Sequence, residues 1–146
     1  MKRAWLIGAA VAAAFAGYVA YVMCAPVCVI HGEPVMFSAL GRAERALLPQ
    51  RAGALHYAWR GQGSSFCSVT RFEVPDWAEF TTAYPFRPAE NLPPAFAAVP
   101  QELANLPWWQ PQRAHSPLLA VFPERCAYML ADEEAQVAYL LVLENN

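Results

Sequence analysis

From Ala4 to Ile30 the chain carries no charged residue, and this apolar stretch follows the basic start Met1-Lys2-Arg3. A bilayer core takes about 20 apolar residues as a helix, so residues 1–30 are expected to form an N-terminal transmembrane anchor. In the next segment Phe37, Leu40, Ala43 and Leu47 fall at helical spacing before Pro49, which predicts a short amphipathic helix within a connector of residues 31–53. Arg42, Glu44 and Arg45 lie off that apolar stripe.

Beyond the connector the period changes. Leu55, Tyr57 and Trp59 alternate with His56, Ala58 and Arg60, Gly61-Gln62-Gly63-Ser64 supplies turn chemistry, and Phe66 to Val74 is extended again, which predicts a β-hairpin. Pro75 ends the second strand. Asp76 and Glu79 then make a capping-box start for a helix through Tyr84, whose Trp77, Phe80 and Tyr84 share one face and are assigned to the core. Ten prolines from Pro75 to Pro123 leave no room for a long element between Phe86 and Pro117. A proline-rich loop is expected there, with one helical candidate from Gln101 to Leu106 after Pro100.

The clearest strands are Leu118 to Phe122, Cys126 to Ala131 and Gln136 to Leu143, the last two forming a hairpin around Asp132-Glu133-Glu134. Val137, Tyr139, Leu141 and Leu143 alternate with Ala138, Leu140 and Val142, apolar on both faces, the mark of a central strand covered on both sides. The expected architecture is therefore α+β. A transmembrane helix precedes an exported domain of residues 54–146, which holds a small antiparallel sheet of about four to five strands, one packed helix and the proline-rich loop.

Hydrophobic residues make up 57% of the chain and charged ones 15%, below the roughly 25% charged of ordinary soluble domains. Setting Lys2 and Arg3 aside leaves eight basic against twelve acidic residues, which excludes nucleic acid as a partner. The positive-inside rule keeps the basic N-terminus in the cytoplasm, although Arg42, Arg45 and Arg51 blunt the bias. This describes a single-pass protein of the bacterial inner membrane with a periplasmic domain. The competing reading is a secretory signal cleaved after Ala14-Phe15-Ala16, and the apolar run continuing to Ile30 favours the anchor. Lipid attachment is not expected, because Met23 and Val27, rather than a small residue, precede Cys24 and Cys28.

An oxidising compartment permits disulfides, and the strand-like settings of Cys67 and Cys126 suggest one bridge between them. It would close a loop of about 60 residues, worth about 4 kcal/mol in the chain-entropy treatment. Two separately buried thiols, or another pairing, remain open. Cys24, Cys28 and His31 carry soft sulfur and imidazole at spacings of four and three, with Met23 and Met36 flanking, a donor set suited to copper(I) or zinc. The C-x3-C spacing of Cys24 and Cys28 resembles that of the Sco-type copper-delivery proteins, whose pair sits in a thioredoxin-like domain; here it abuts an apolar span. The plainer alternative is two small membrane-adjacent cysteines acting as hydrophobes.

No nucleophile, base and oxyanion arrangement surrounds any of the three histidines. His56, near Ser68 or Cys67 across the hairpin, is the catalytic alternative, and His115 lies in a loop. The acids Asp132, Glu133 and Glu134 form a turn with too few converging ligands for calcium, and with Lys2 as the only lysine there is no phosphate-binding loop. Glu73, Asp76 and Glu79 are explained by a strand end and a helix cap. The expectation is a non-catalytic accessory module without a cofactor, acting on another cell-envelope protein in an assembly, inhibitory or immunity-type role. Its candidate surfaces are Trp108-Trp109, fixed between Pro107 and Pro111, and the Tyr57 and Trp59 strand. The alternatives are a copper-handling protein built on Cys24, Cys28 and His31, and a small periplasmic enzyme around His56.

Overall fold

A computed structural model describes residues 2–145; Met1 and Asn146, the outer limits of the expected anchor and domain, lie outside it, as do the side chains of residues 2–6 and of Asn145. Helix α1, Lys2–Cys24, is long and apolar enough to cross a membrane or to serve as a signal sequence. Only Ala25 and Pro26 separate it from β1, Val27–Ile30. Proline ends the helical ladder, and the β-branched Val27, Val29 and Ile30 favour an extended chain. The last residues of the apolar run are thus an edge strand of the sheet, not part of helix α1.

The sheet has seven antiparallel strands in the order β1-β2-β3-β7-β6-β5-β4, where the sequence pattern predicts four to five. The others are β2 (Gly53–Gln62), β3 (Ser65–Glu73), β4 (Arg87–Pro88), β5 (Leu118–Phe122), β6 (Ala127–Asp132) and β7 (Val137–Asn145). The two extra strands are both edges: β1, hidden in the apolar leader, and the two-residue β4, hidden among the prolines. Strand β7 lies at the centre with β3 and β6 on its flanks, as its two-faced apolar pattern predicts. Gly63, with φ of +58°, takes the left-handed turn that joins β2 to β3.

On one face, Leu55 and Tyr57 of β2, Phe72 of β3, Met129 of β6 and Leu140 of β7 meet Leu40, Leu47 and Leu48 from the connector. Helix α3, Trp77–Ala83, covers the same face. Asp76 caps α3 by accepting a hydrogen bond from Glu79 N at 3.0 Å, as its sequence spacing predicts. Phe80 is buried against Phe72, and the Tyr84 hydroxyl donates to Leu47 O at 2.7 Å, tying α3 to the connector. The connector itself is a 3-10 turn, Phe37–Ala39, followed by α2, Arg42–Leu47, in place of the continuous helix its spacing predicts. Gly41 is extended between them. It comes so close to the buried Glu44 side chain that a Cβ there would overlap the carboxylate.

The opposite face is covered by the proline-rich segment. Its prolines block long helices yet start short ones: Pro94 opens α4 (Pro94–Ala97), Pro100 precedes α5 (Gln101–Ala104), and Pro111 opens a 3-10 turn. These turns set Phe96, Val99, Leu103, Leu106 and Trp109 against Val69, Leu130, Val137, Tyr139 and Leu141. What composition predicts as a meandering loop is the second packed layer of the domain.

Candidate functional site

The strand register decides which candidate residues meet. Cys28 pairs with Arg60, and His31, directly after β1, is three residues from Cys28; an odd separation along an extended chain puts the two side chains on opposite faces. His31 stacks on Tyr57, with ring centroids 6.0 Å apart. The expected cluster of Cys24, Cys28 and His31 is therefore not assembled, and no group of three His, Cys, Asp or Glu side chains is placed to hold a metal among the described residues.

Cys67 and Cys126 do not form the expected bridge; all four cysteines are free thiols. Cys67 pairs with Leu143 of β7, whose N–H donates to Cys126 O on the far side, so the whole of β7 stands between them. Two inter-strand spacings amount to about 10 Å, beyond the reach of a disulfide. Burial pushes the Cys67 thiol up to about 12, while Cys126 is exposed on a left-handed residue with φ of 45°. Alkylation of the native protein is expected to label Cys126 and Cys28 quickly and to leave Cys67 unmodified until unfolding. Peptide mapping reads this directly; rapid labelling of Cys67 would contradict its burial.

The four aromatic candidates do not share a surface. Tyr57 is buried and Trp59 half-buried against Phe66, both on the α3 side of the sheet. Trp108 and Trp109 belong to the other side. Trp109 is 2% exposed, stacked on Phe96 at 5.9 Å and edge-on to Tyr139 at 5.5 Å, so it is core. Trp108 is half-buried and stacks on His56 at 5.5 Å, the one member of the four that lies on the open rim of the proline-rich layer.

His56 is not near Ser68 or Cys67. It pairs with Arg71, Ser68 belongs to the other face, and Cys67 is four residues, about 13 Å, further along β3. A row therefore crosses the sheet from His56 through Arg71 to Tyr139, with Trp108 above it. Arg71 is in no ion pair among the described residues. Beside this row lies a hollow of about 380 Å³ bounded by Arg113, His115, Asp132 and Glu134. Asp132 is committed to its turn, accepting from Glu134 N at 3.1 Å and Ala135 N at 3.3 Å. Burial, and next the Arg71 charge, lower the His56 pKa below its ordinary 6.5, and its Nδ1 is buried with no hydrogen-bond partner.

That shift has a sign. The unfolded chain binds the His56 proton more readily than the folded one, so stability is full above about pH 6.5 and falls as pH drops toward the folded value. Denaturant midpoints are expected to decline as the pH falls below about 6.5, and His56→Gln is expected to remove that share of the decline. An unchanged slope in the variant would show that His56 is not the group responsible.

The sequence pattern places Glu44 off the apolar stripe of its helix, yet the structure buries it. Its side chain is 1% exposed and lies on the α3 side of the sheet, where Ser68 Oγ donates to its carboxylate. Burial, and then the Glu44 charge, push the Tyr57 phenol up, and Thr70 Oγ1 is buried nearby with no partner. The signal was present: Glu44 sits between Ala43 and Leu47 on a six-residue helix with few other inward positions, and Gly41 precedes it. Without the register, nothing in the sequence pairs it with Ser68.

No protein-family model matches the chain, and comparisons with curated proteins and with solved structures return no match. The fold itself is plain: an N-terminal apolar helix, then an α+β domain with a seven-strand antiparallel sheet and short helices.

Proposed function

We propose that the chain is a membrane-tethered, non-catalytic interaction domain of the bacterial envelope, holding another envelope protein at the periplasmic surface of the inner membrane. The observation that carries the reading is α1. None of its Ile7–Cys24 stretch is buried against the domain, and Phe15, Tyr18, Tyr21 and Met23 are all at least 65% exposed. Lipid is the solvent such a surface fits. Cleavage after Ala16 would leave Gly17 to Cys24 as an apolar helical stub packed on nothing, which favours an anchor over a removed signal.

The surface offered to the partner is Trp108 with His56 and Arg71. Trp, Tyr and Arg dominate binding energy at interfaces, and Arg71, hydrogen-bonded to Tyr139, is in no ion pair among the described residues. On β2, His56 is five residues from Gly61, which pairs with the start of β1, so this surface stands about 17 Å from the end of the sheet that α1 enters. A tether with a binding face pointing away from the bilayer suits assembly, inhibition or immunity.

Affinity purification of the full-length protein from detergent-solubilised membranes, with intact-mass measurement, tests the reading. An uncleaved chain with a stoichiometric envelope partner is expected, and Trp108→Ala is expected to lose that partner with its folding unchanged. A chain beginning at Gly17, or a Trp108→Ala variant that retains the partner, would overturn it.

A further inference from the structure

At the end of the sheet that α1 enters, the β2 and β3 hairpin borders a hollow of about 360 Å³ lined by Arg60, Gln62, Ser65, Phe66, Pro100 and Leu143. Arg60 is half-buried. One Nη donates to Gln62 Oε1 at 3.3 Å, and Nε is buried without a hydrogen-bond partner, 3.6 Å from Glu102 Oε1. The guanidinium therefore has donors to spare, and its planar fork matches phosphate oxygens. Cys67, Pro100 and Leu143 supply apolar walls.

The position of the hollow narrows the ligand. Val27 comes three residues after Cys24, at most about 11 Å along the chain, and pairs with Gly61, the neighbour of Arg60 and Gln62. A lipid lying beside α1 has its headgroup within reach of this hollow. Glu102 stands on its rim, 53% exposed at its side chain, and would repel a purely anionic group. A headgroup carrying both a phosphate and an ammonium satisfies both charges.

The geometry points to a phosphoethanolamine-type site, with the phosphate of a zwitterionic phospholipid on Arg60 and its amine toward Glu102. The inference rests on α1 being a membrane anchor. Occupancy would fix the domain edge-on to the bilayer and hold the Trp108 face outward.

Native mass spectrometry of the full-length protein in non-ionic detergent tests it, with phosphatidylethanolamine, phosphatidylglycerol, diacylglycerol and free O-phosphoethanolamine as probes. One phosphatidylethanolamine per chain is expected, weakened about tenfold by Arg60→Gln through loss of charged hydrogen bonds. Arg60→Lys should recover part of the binding, and Glu102→Gln should weaken phosphatidylethanolamine while leaving phosphatidylglycerol unchanged or tighter. Melting curves of the variants confirm that each is folded. Equal binding of phosphatidylethanolamine by Arg60→Gln, or equal binding of diacylglycerol, would overturn the site. Displacement of the lipid by free O-phosphoethanolamine at matching affinity would overturn the lipid as its ligand. Failure of the anchor reads differently: the chain leaves the membrane on alkaline extraction, whatever Arg60 binds.

Discussion

Trp109→Ala is expected to destabilise the domain by about 3–5 kcal/mol, a large part of the roughly 5–15 kcal/mol that holds a domain of this size together. The indole is the pin of the proline-rich layer, closed in by Phe96 on one side and Tyr139 on the other. The short helices α4 and α5 have too few backbone hydrogen bonds to persist without their packing on the sheet. Urea unfolding followed by far-UV circular dichroism gives the number. Trp108→Ala, measured beside it, should move the midpoint far less, because that ring is half-buried on the rim. If Trp109→Ala melts with the wild-type protein, the proline-rich layer contributes nothing to stability and the two-layer account of the core fails.

The second large effect is expected at Glu44. Replacing it with alanine leaves the Ser68 hydroxyl buried without an acceptor, at about 1–3 kcal/mol for a buried polar group left alone. The companion experiment is the double variant Glu44→Leu with Ser68→Ala. Exchanging both partners for apolar groups of similar shape is expected to recover most of the loss, because a buried polar pair is worth little once neither member is orphaned. A double variant as unstable as Glu44→Ala would mean the carboxylate supports the connector in some way other than through Ser68. Gly41→Ala should fall between these, at about 1–3 kcal/mol, since its Cβ would crowd the same carboxylate.

How far the sequence spoke depended on how local the signal was. The β2 and β3 hairpin, the Asp76 cap and the central place of β7 were legible because each rests on alternation or spacing within a few residues. The edge strands were not. Val27–Ile30 has the composition of a membrane span, and only its pairing with β2 makes it a strand. Arg87–Pro88 is too short for any period to show. The candidate site was less legible than the fold. The spacing of Cys28 and His31 suits a helix and fails on a strand, so one change of local structure dissolves the metal cluster. Trp108 and Trp109 are adjacent in sequence yet differ in role, because a turn between two prolines sends one ring inward and the other to the rim. The partnership of Glu44 with Ser68 spans 24 residues and two elements, and no short-range rule reaches that far.

The place of β7 also sets a timetable. It comes last of the seven strands in the chain and lies in the middle of the sheet. A polypeptide emerges from the ribosome, or from a translocation channel, with its N-terminal part first. For as long as Val137–Asn145 has not arrived, β1-β2-β3 and β6-β5-β4 are two separate three-strand half-sheets, each with an apolar edge open along the side that β7 will occupy. Such edges invite pairing with a neighbouring chain, so crowding of nascent copies is the hazard of this topology. Strand β7 closes it, joining two halves that share no strand contact without it.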